Sequence, residues 1–175
     1  IYGYDEKTGD IYYQAAAINP HDRQIYVAHK NGKIERLTDK EGCNYAIFSG
    51  DYRYFINTWS DYNTPYVYTT RDNQGRVLST NLDNKELKAK IAEYGWTQKE
   101  TFSFTTSEGV KLDGWMVKPA NFDSSRKYPV IMFQYSGPGN QQVMNSWNAG
   151  SMGQGGAYDM YLAQQGYIVV CVDGR

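Results

Sequence analysis

The residues best suited to chemistry are Tyr135-Ser136-Gly137-Pro138-Gly139, which close the apolar run Tyr128-Pro-Val-Ile-Met-Phe-Gln134. Pro129 suits the first residue of a strand, where a missing N–H does little harm. Val130 to Phe133 read as a short buried strand. Gly137, Pro138 and Gly139 force an abrupt loop. In an open α/β sheet, ligands meet the protein beyond the carboxyl ends of strands. A tyrosine at such a place carries a phenolic O–H that can donate to charge developing on a carbonyl oxygen, the task of an oxyanion hole. The same spacing also describes a loop tyrosine that caps the sheet. Tyr135 is the candidate catalytic residue.

Other chemistries fail on spacing. The Gly-x-Ser-x-Gly elbow is absent, since Ala149 stands where Ser151 needs its first glycine. The two histidines, His21 and His29, lie far in sequence from Tyr135 and are read as surface or edge residues, so no triad can be assembled. Gly137-x-Gly139 is followed by Gln142 rather than a third glycine, which breaks the dinucleotide fingerprint. The glycine run 150–156 reads as a loop. Asp and Glu are scattered without metal-ligand clustering, and no cofactor is expected. Trp59, Trp96, Trp115 and Trp147 read as packing residues.

The elements that must position Tyr135 follow from composition and pattern. The chain has 175 residues, 41% of them hydrophobic, and 17 tyrosines, a composition that favours many short strands. Its net charge of −1 argues against a nucleic-acid or polybasic membrane surface. No apolar stretch is long enough for a membrane span. The two cysteines, Cys43 and Cys171, are too few for a disulfide framework, and Cys171 reads as a buried small hydrophobe. Ile1 is not an initiator Met and Arg175 follows a strand directly, so the chain reads as a piece of a longer protein.

Residues 1–70 carry strands at Ile11–Ala17, Gln24–His29, Lys33–Leu37, Asn44–Phe48, Arg53–Trp59 and Tyr66–Thr70, separated by turn residues. Asn31-Gly32 is a hairpin signal. Ile18-Asn-Pro-His-Asp-Arg23 echoes Phe48-Ser-Gly-Asp-Tyr-Arg53, as strand–turn–strand units of β-propeller blades would. The segment could supply about one blade and part of another. Asn84 to Tyr94 reads as a linker helix with Leu87, Ile91 and Tyr94 on one face. Then Glu100–Thr105 and Lys111–Lys118 form a hairpin. After the Tyr135 loop, Ala157 to Gln165 is a helix with Tyr158, Tyr161 and Leu162 together, and Tyr167 to Val172 is a strand buried on both faces. Strand, helix and strand in parallel point to an α/β sheet.

Tyr128-Pro129, Tyr135-Ser-Gly-Pro-Gly139 and Tyr167-Ile-Val-Val-Cys-Val-Asp-Gly-Arg175 together resemble the prolyl oligopeptidase family of serine peptidases, in its dipeptidyl peptidase IV branch. The resemblance extends upstream through Tyr12-Tyr13, Asn19-Pro20, Arg23, Tyr26, Leu37-Thr38, Gly42, Phe48-Ser49 and the stretch from Ser60 to Pro65. It implies a mixed fold: the end of a β-propeller over residues 1–80, a linker helix over 81–98, and the N-terminal part of an α/β-hydrolase domain over 99–175. The first four hydrolase strands would lie in the order one, two, four, three, with the third at an exposed edge that invites self-association. Tyr135 would supply the oxyanion-hole hydroxyl. Ser, Asp and His of the triad would lie outside these residues, so the segment alone would be inactive. The implied activity is release of N-terminal dipeptides after Pro or Ala from a peptide substrate by a periplasmic or secreted enzyme. Tripeptidyl and acylaminoacyl peptidases of the same family are the alternatives. A β-rich binding module without catalysis is the alternative of another class.

Overall fold

The computed structural model describes residues 1–135, 137, 139–148 and 156–174. Ser151 and most of the glycine run 150–156 lie outside the described residues, as do Ser136, Pro138 and Arg175. The chain divides into two compact units: Ile1–Leu87 with Met144–Trp147, and Lys88–Val143 with Asn148–Arg175.

The first unit is built from β1 (Gly3–Asp5), β2 (Asp10–Ala15), β3 (Gln24–Ala28) and β4 (Ile34–Arg36), then β5 (Cys43–Phe48), β6 (Tyr54–Asp61), β7 (Thr64–Asp72) and β8 (Val77–Leu82). These form two antiparallel sheets of four strands, ordered β1-β2-β3-β4 and β5-β6-β7-β8. Each strand follows its predecessor in space, because short polar turns leave the chain no room to cross over. At the predicted β3–β4 hairpin, Gly32 has φ +86°, a conformation that a side chain would strain. The core lies between the two sheets. Tyr12, Ile25, Val27, Leu37, Ala46 and Phe55 are buried there, with Tyr2, Phe48 and Tyr52 packed against them. Tyr12 and Tyr52 stack with ring centroids 5.3 Å apart, and Phe48 tilts against Phe55 at 4.9 Å.

The sequence reading anticipates six of these strands but not β1 or β8, so two four-stranded sheets stand where one and part of another were expected. β1 is three residues long, and every residue of β8 is exposed, which leaves neither a burial pattern to read. The internal echo also joins unlike positions. Its first copy links β2 to β3, the second and third strands of their sheet, while its second copy links β5 to β6, the first and second.

Helix α1 (Lys85–Glu93) leads on from β8. It buries no residue, so the Leu87–Ile91–Tyr94 face is not a packing face. The second unit continues with β9 (Lys99–Thr105), β10 (Lys111–Val117), β11 (Val130–Phe133), α2 (Ala157–Gln164) and β12 (Ile168–Val172). The sheet order is β11-β12-β10-β9, the order one, two, four, three that the resemblance implies. β9, β10 and β12 pair antiparallel, and β11 pairs parallel with β12. Central β12 buries Val169, Cys171 and Val172.

One expectation fails here, and on α2 the grouped tyrosines stand together without being buried. β11 is an edge strand with Val130, Ile131 and Met132 exposed, not a buried strand. On α2 the buried residues are Asp159, Met160 and Ala163, while Tyr158 and Tyr161 stack on each other in solvent. An apolar run or an aromatic stripe states what could be buried. It does not state which neighbours arrive to bury it.

Candidate active site

Tyr135 stands two residues beyond β11, with about half of its surface exposed. Because β11 and β12 run parallel with Phe133 opposite Cys171, Tyr135 and Asp173 leave the sheet at the same end and at equal distance along it. Both therefore reach the crevice beyond the carboxyl ends of the strands, where open α/β sheets bind ligands.

The tyrosine ring lies close over the loop that follows it. A Cβ built on Gly137 would stand 3.1 Å from its Cε1 and 3.2 Å from its hydroxyl oxygen. The loop then turns, with the amide of Asn140 donating to the Gly137 carbonyl at 3.1 Å. Farther along, the amide of Gln142 donates to Asp173 Oδ1 at 2.7 Å and that of Val143 to Asp173 Oδ2 at 3.0 Å. The Val143 side chain is fully buried. Asp173 is itself held through its own amide, which donates to the Asp113 carbonyl at 3.1 Å.

Toward the other end of the sheet, where Lys99 is level with Val117 and Val169, lies a buried cation. Lys99, the first residue of β9, places its ammonium 4.3 Å from the centre of the Trp115 ring and 3.1 Å from Asn148 Oδ1. Burial pulls its pKa down to about 8, against the opposing pull of the buried Asp159 carboxylate. Burial likewise pushes the Cys171 thiol up to about 11, with the Asp173 charge adding to the effect. That thiol is a packing group, not a nucleophile. Cys43 is also free and buried, with its thiol raised to about 11.

The stretch Met144–Trp147 belongs to the first unit. There Asn145 donates from Nδ2 to the buried Asp22 carboxylate at 2.9 Å and accepts the Tyr62 amide on Oδ1 at 3.0 Å. The Trp147 amide donates to Ser60 Oγ at 3.0 Å.

The histidines sit elsewhere. His29 contacts Asp10 through Nδ1 at 3.1 Å and Glu35 through Nε2 at 3.7 Å. It thus has acid partners across its own sheet, which the sequence reading did not foresee. The backbone carbonyl of His21 accepts the Asn145 amide. Among the described residues, no group of three His, Cys, Asp or Glu side chains could hold a metal, and no helix is long and apolar enough to cross a membrane.

The sequence reading singled out Tyr135 and missed Lys99, Asn145 and the role of Asp173. The Asp-Gly-Arg motif was the one signal pointing to Asp173. Asn145 and Lys99 carry no local pattern.

The dipeptidyl peptidase IV (DPP IV) N-terminal region family model matches residues 1–66. The crystal structure of Porphyromonas gingivalis dipeptidyl peptidase 4 superposes with a TM-score of 0.89 at 40% identity, over 99% of this chain and 24% of that one. The chain belongs to the dipeptidyl peptidase IV branch of the prolyl oligopeptidase family. Dipeptidyl peptidase 4 of Trichophyton rubrum is 31% identical over 150 residues, 83% of this chain and 19% of that protein. Dipeptidyl peptidase 4 of Trichophyton equinum is 32% identical over the same coverage. The chain therefore spans about a fifth of the length of these curated dipeptidyl peptidases. The two four-stranded sheets of its first unit are part of the branch's β-propeller.

Proposed function

We propose that this chain is the propeller–hydrolase junction of a serine exopeptidase that releases dipeptides from peptide N-termini after Pro or Ala. Residues 1–80 are the propeller end, 81–98 the linker, and 99–175 the start of an α/β-hydrolase domain. Tyr135 supplies one hydroxyl of the oxyanion hole, and the serine nucleophile, its histidine and its aspartate are contributed from outside these residues. The enzyme works in the periplasm or outside the cell.

The observation that carries this reading is the exposed Tyr135 at the carboxyl end of β11, in a sheet ordered β11-β12-β10-β9. When a serine attacks the scissile carbonyl, the oxygen gains negative charge, and a phenolic O–H aimed at it lowers the barrier because the donor is already in place. Since the hydroxyl donates more strongly to the oxyanion than to the ground-state carbonyl, its loss falls on kcat.

The test uses the full-length enzyme. Tyr135→Phe is expected to lower kcat about 10²–10³-fold, the range for one lost oxyanion donor. A loss smaller than about threefold would leave Tyr135 a structural residue. Gly-Pro, Ala-Ala-Pro and N-blocked substrates separate dipeptide release from tripeptidyl and acylaminoacyl specificity. The 175-residue chain alone is expected to hydrolyse none of them.

A further inference from the structure

We infer that Asp173 is a positioning residue for the Tyr135 hydroxyl, acting by capping the loop that starts at that tyrosine. The inference rests on the oxyanion reading of Tyr135 and adds a residue to it.

The loop leaves the sheet edge at Tyr135 and returns to a buried anchor at Val143. At its far end, the amides of Gln142 and of buried Val143 have no strand partner and take a side-chain acceptor instead. Asp173 is that acceptor for both. Its oxygens are used one each, by Gln142 and by Val143, which fixes the plane of the carboxylate as well as its place. A charged acceptor makes both bonds shorter and stronger than a neutral one would. Asp173 is in turn fixed to β10 through the Asp113 carbonyl and to the sheet through β12. The parallel register brings Tyr135 and Asp173 out level with each other, so a single carboxylate at the end of β12 closes the loop opened at the end of β11.

The link to the hydroxyl runs through Gly137. The Tyr135 ring rests over that residue closely enough that an added methyl would crowd it. Where the loop backbone goes, the ring follows. An oxyanion donor must meet its oxygen at roughly 2.7–3.1 Å. A misplacement of about 1 Å can cost about 10² in rate.

Asp173→Asn keeps the shape but turns an NH2 group toward one of the two amides. In the full-length enzyme it is expected to lower kcat about ten- to hundredfold and leave KM within about threefold, because both carboxylate oxygens are taken up by loop amides. Combined with Tyr135→Phe, it is expected to add little, since both changes remove the same donor. Amide hydrogen exchange at Gln142 and Val143 is expected to quicken in Asp173→Asn but not in Tyr135→Phe. Should Asp173→Asn fail to fold, Asp173→Glu keeps the charge and shifts it by one methylene, and is read in the same way. Unchanged kcat and unchanged exchange, or a loss that multiplies with that of Tyr135→Phe, would overturn the role of Asp173 while leaving Tyr135 in place. A silent Tyr135→Phe would overturn the oxyanion reading itself.

Discussion

The Tyr135 ring and the α-carbon of Gly137 are so close that a methyl group on Gly137 would come within 3.2 Å of the tyrosine hydroxyl. Position 137 is therefore tight for any side chain. Gly137→Ala must push either the ring or the loop backbone by a few tenths of an ångström. In the full-length enzyme, kcat is expected to fall about tenfold or more, with KM little changed, as for a donor displaced by part of an ångström. Steady-state kinetics on a Gly-Pro substrate check this. Wild-type kcat in Gly137→Ala would show that the ring has room to move without loss.

Asn145 saturates a buried carboxylate. Asp22 accepts the Gly42 amide at 3.0 Å, Asn19 Nδ2 at 2.7 Å and Asn145 Nδ2 at 2.9 Å. Asn145→Ala withdraws one donor from Asp22 and the acceptor from the Tyr62 amide. The expected cost is about 1–3 kcal/mol, the desolvation penalty of buried groups left unpaired. Asn145→Asp should cost more at neutral pH, because it faces Asp22 with a second negative charge. Urea denaturation of the chain, followed by tryptophan fluorescence, measures both. Equal midpoints for Asn145→Ala and wild type would show that water replaces the amide without penalty.

Lys99 should leave a mark on the pH dependence of stability. Its pKa is about 8 in the fold against an ordinary 10.5, with burial as the main cause and Asp159 acting in opposition. Between these values the unfolded chain holds the proton and the folded one has released it, so stability rises with pH there. The contribution is complete above about 10.5 and absent below about 8. Lys99→Met has no such dependence. Relative to that variant, the wild type should gain up to about 3 kcal/mol between pH 8 and 10.5. Paired melts across that range decide it, and a difference that stays constant with pH would refute it.

How much of this was legible depended on the range of each interaction. The β3–β4 hairpin announces itself in Asn31-Gly32, because the turn is local chemistry. The β9–β10 hairpin does so because its two strands are separated by only a few residues. The strand order of the second unit came through resemblance, since no local rule places β12 between β11 and β10. Tyr135 was visible because a strand ending and a glycine-rich loop sit in one short stretch. Asp173 grips amides 30 and 31 residues away, and His29 meets Asp10 across 19 residues, so no window of sequence contains either pair. Burial of Lys99 and Asp159 was equally hidden. A charged residue on a strand or helix reads as solvent-facing until its partner is brought to it.

The edge of the second sheet sets a last expectation. Among the described residues β11 pairs with β12 alone, so its other side presents unpaired N–H and C=O groups. Val130 and Met132 project from one face of that strand and are 59% and 55% exposed. An apolar edge with free backbone groups is a template for another strand, and folded proteins commonly protect such edges with charge or cover. The 175-residue chain is therefore expected to self-associate at micromolar concentration. The double variant Val130→Lys with Met132→Lys should shift it toward monomer, because in-register pairing of β11 with itself would set like charges opposite each other and charge on an edge strand opposes pairing. Light scattering on both proteins is the measurement. A monodisperse wild-type monomer would refute the prediction outright. An association that both lysines leave intact would move it to another edge, with β8 next in line because it is an edge strand whose residues are all exposed.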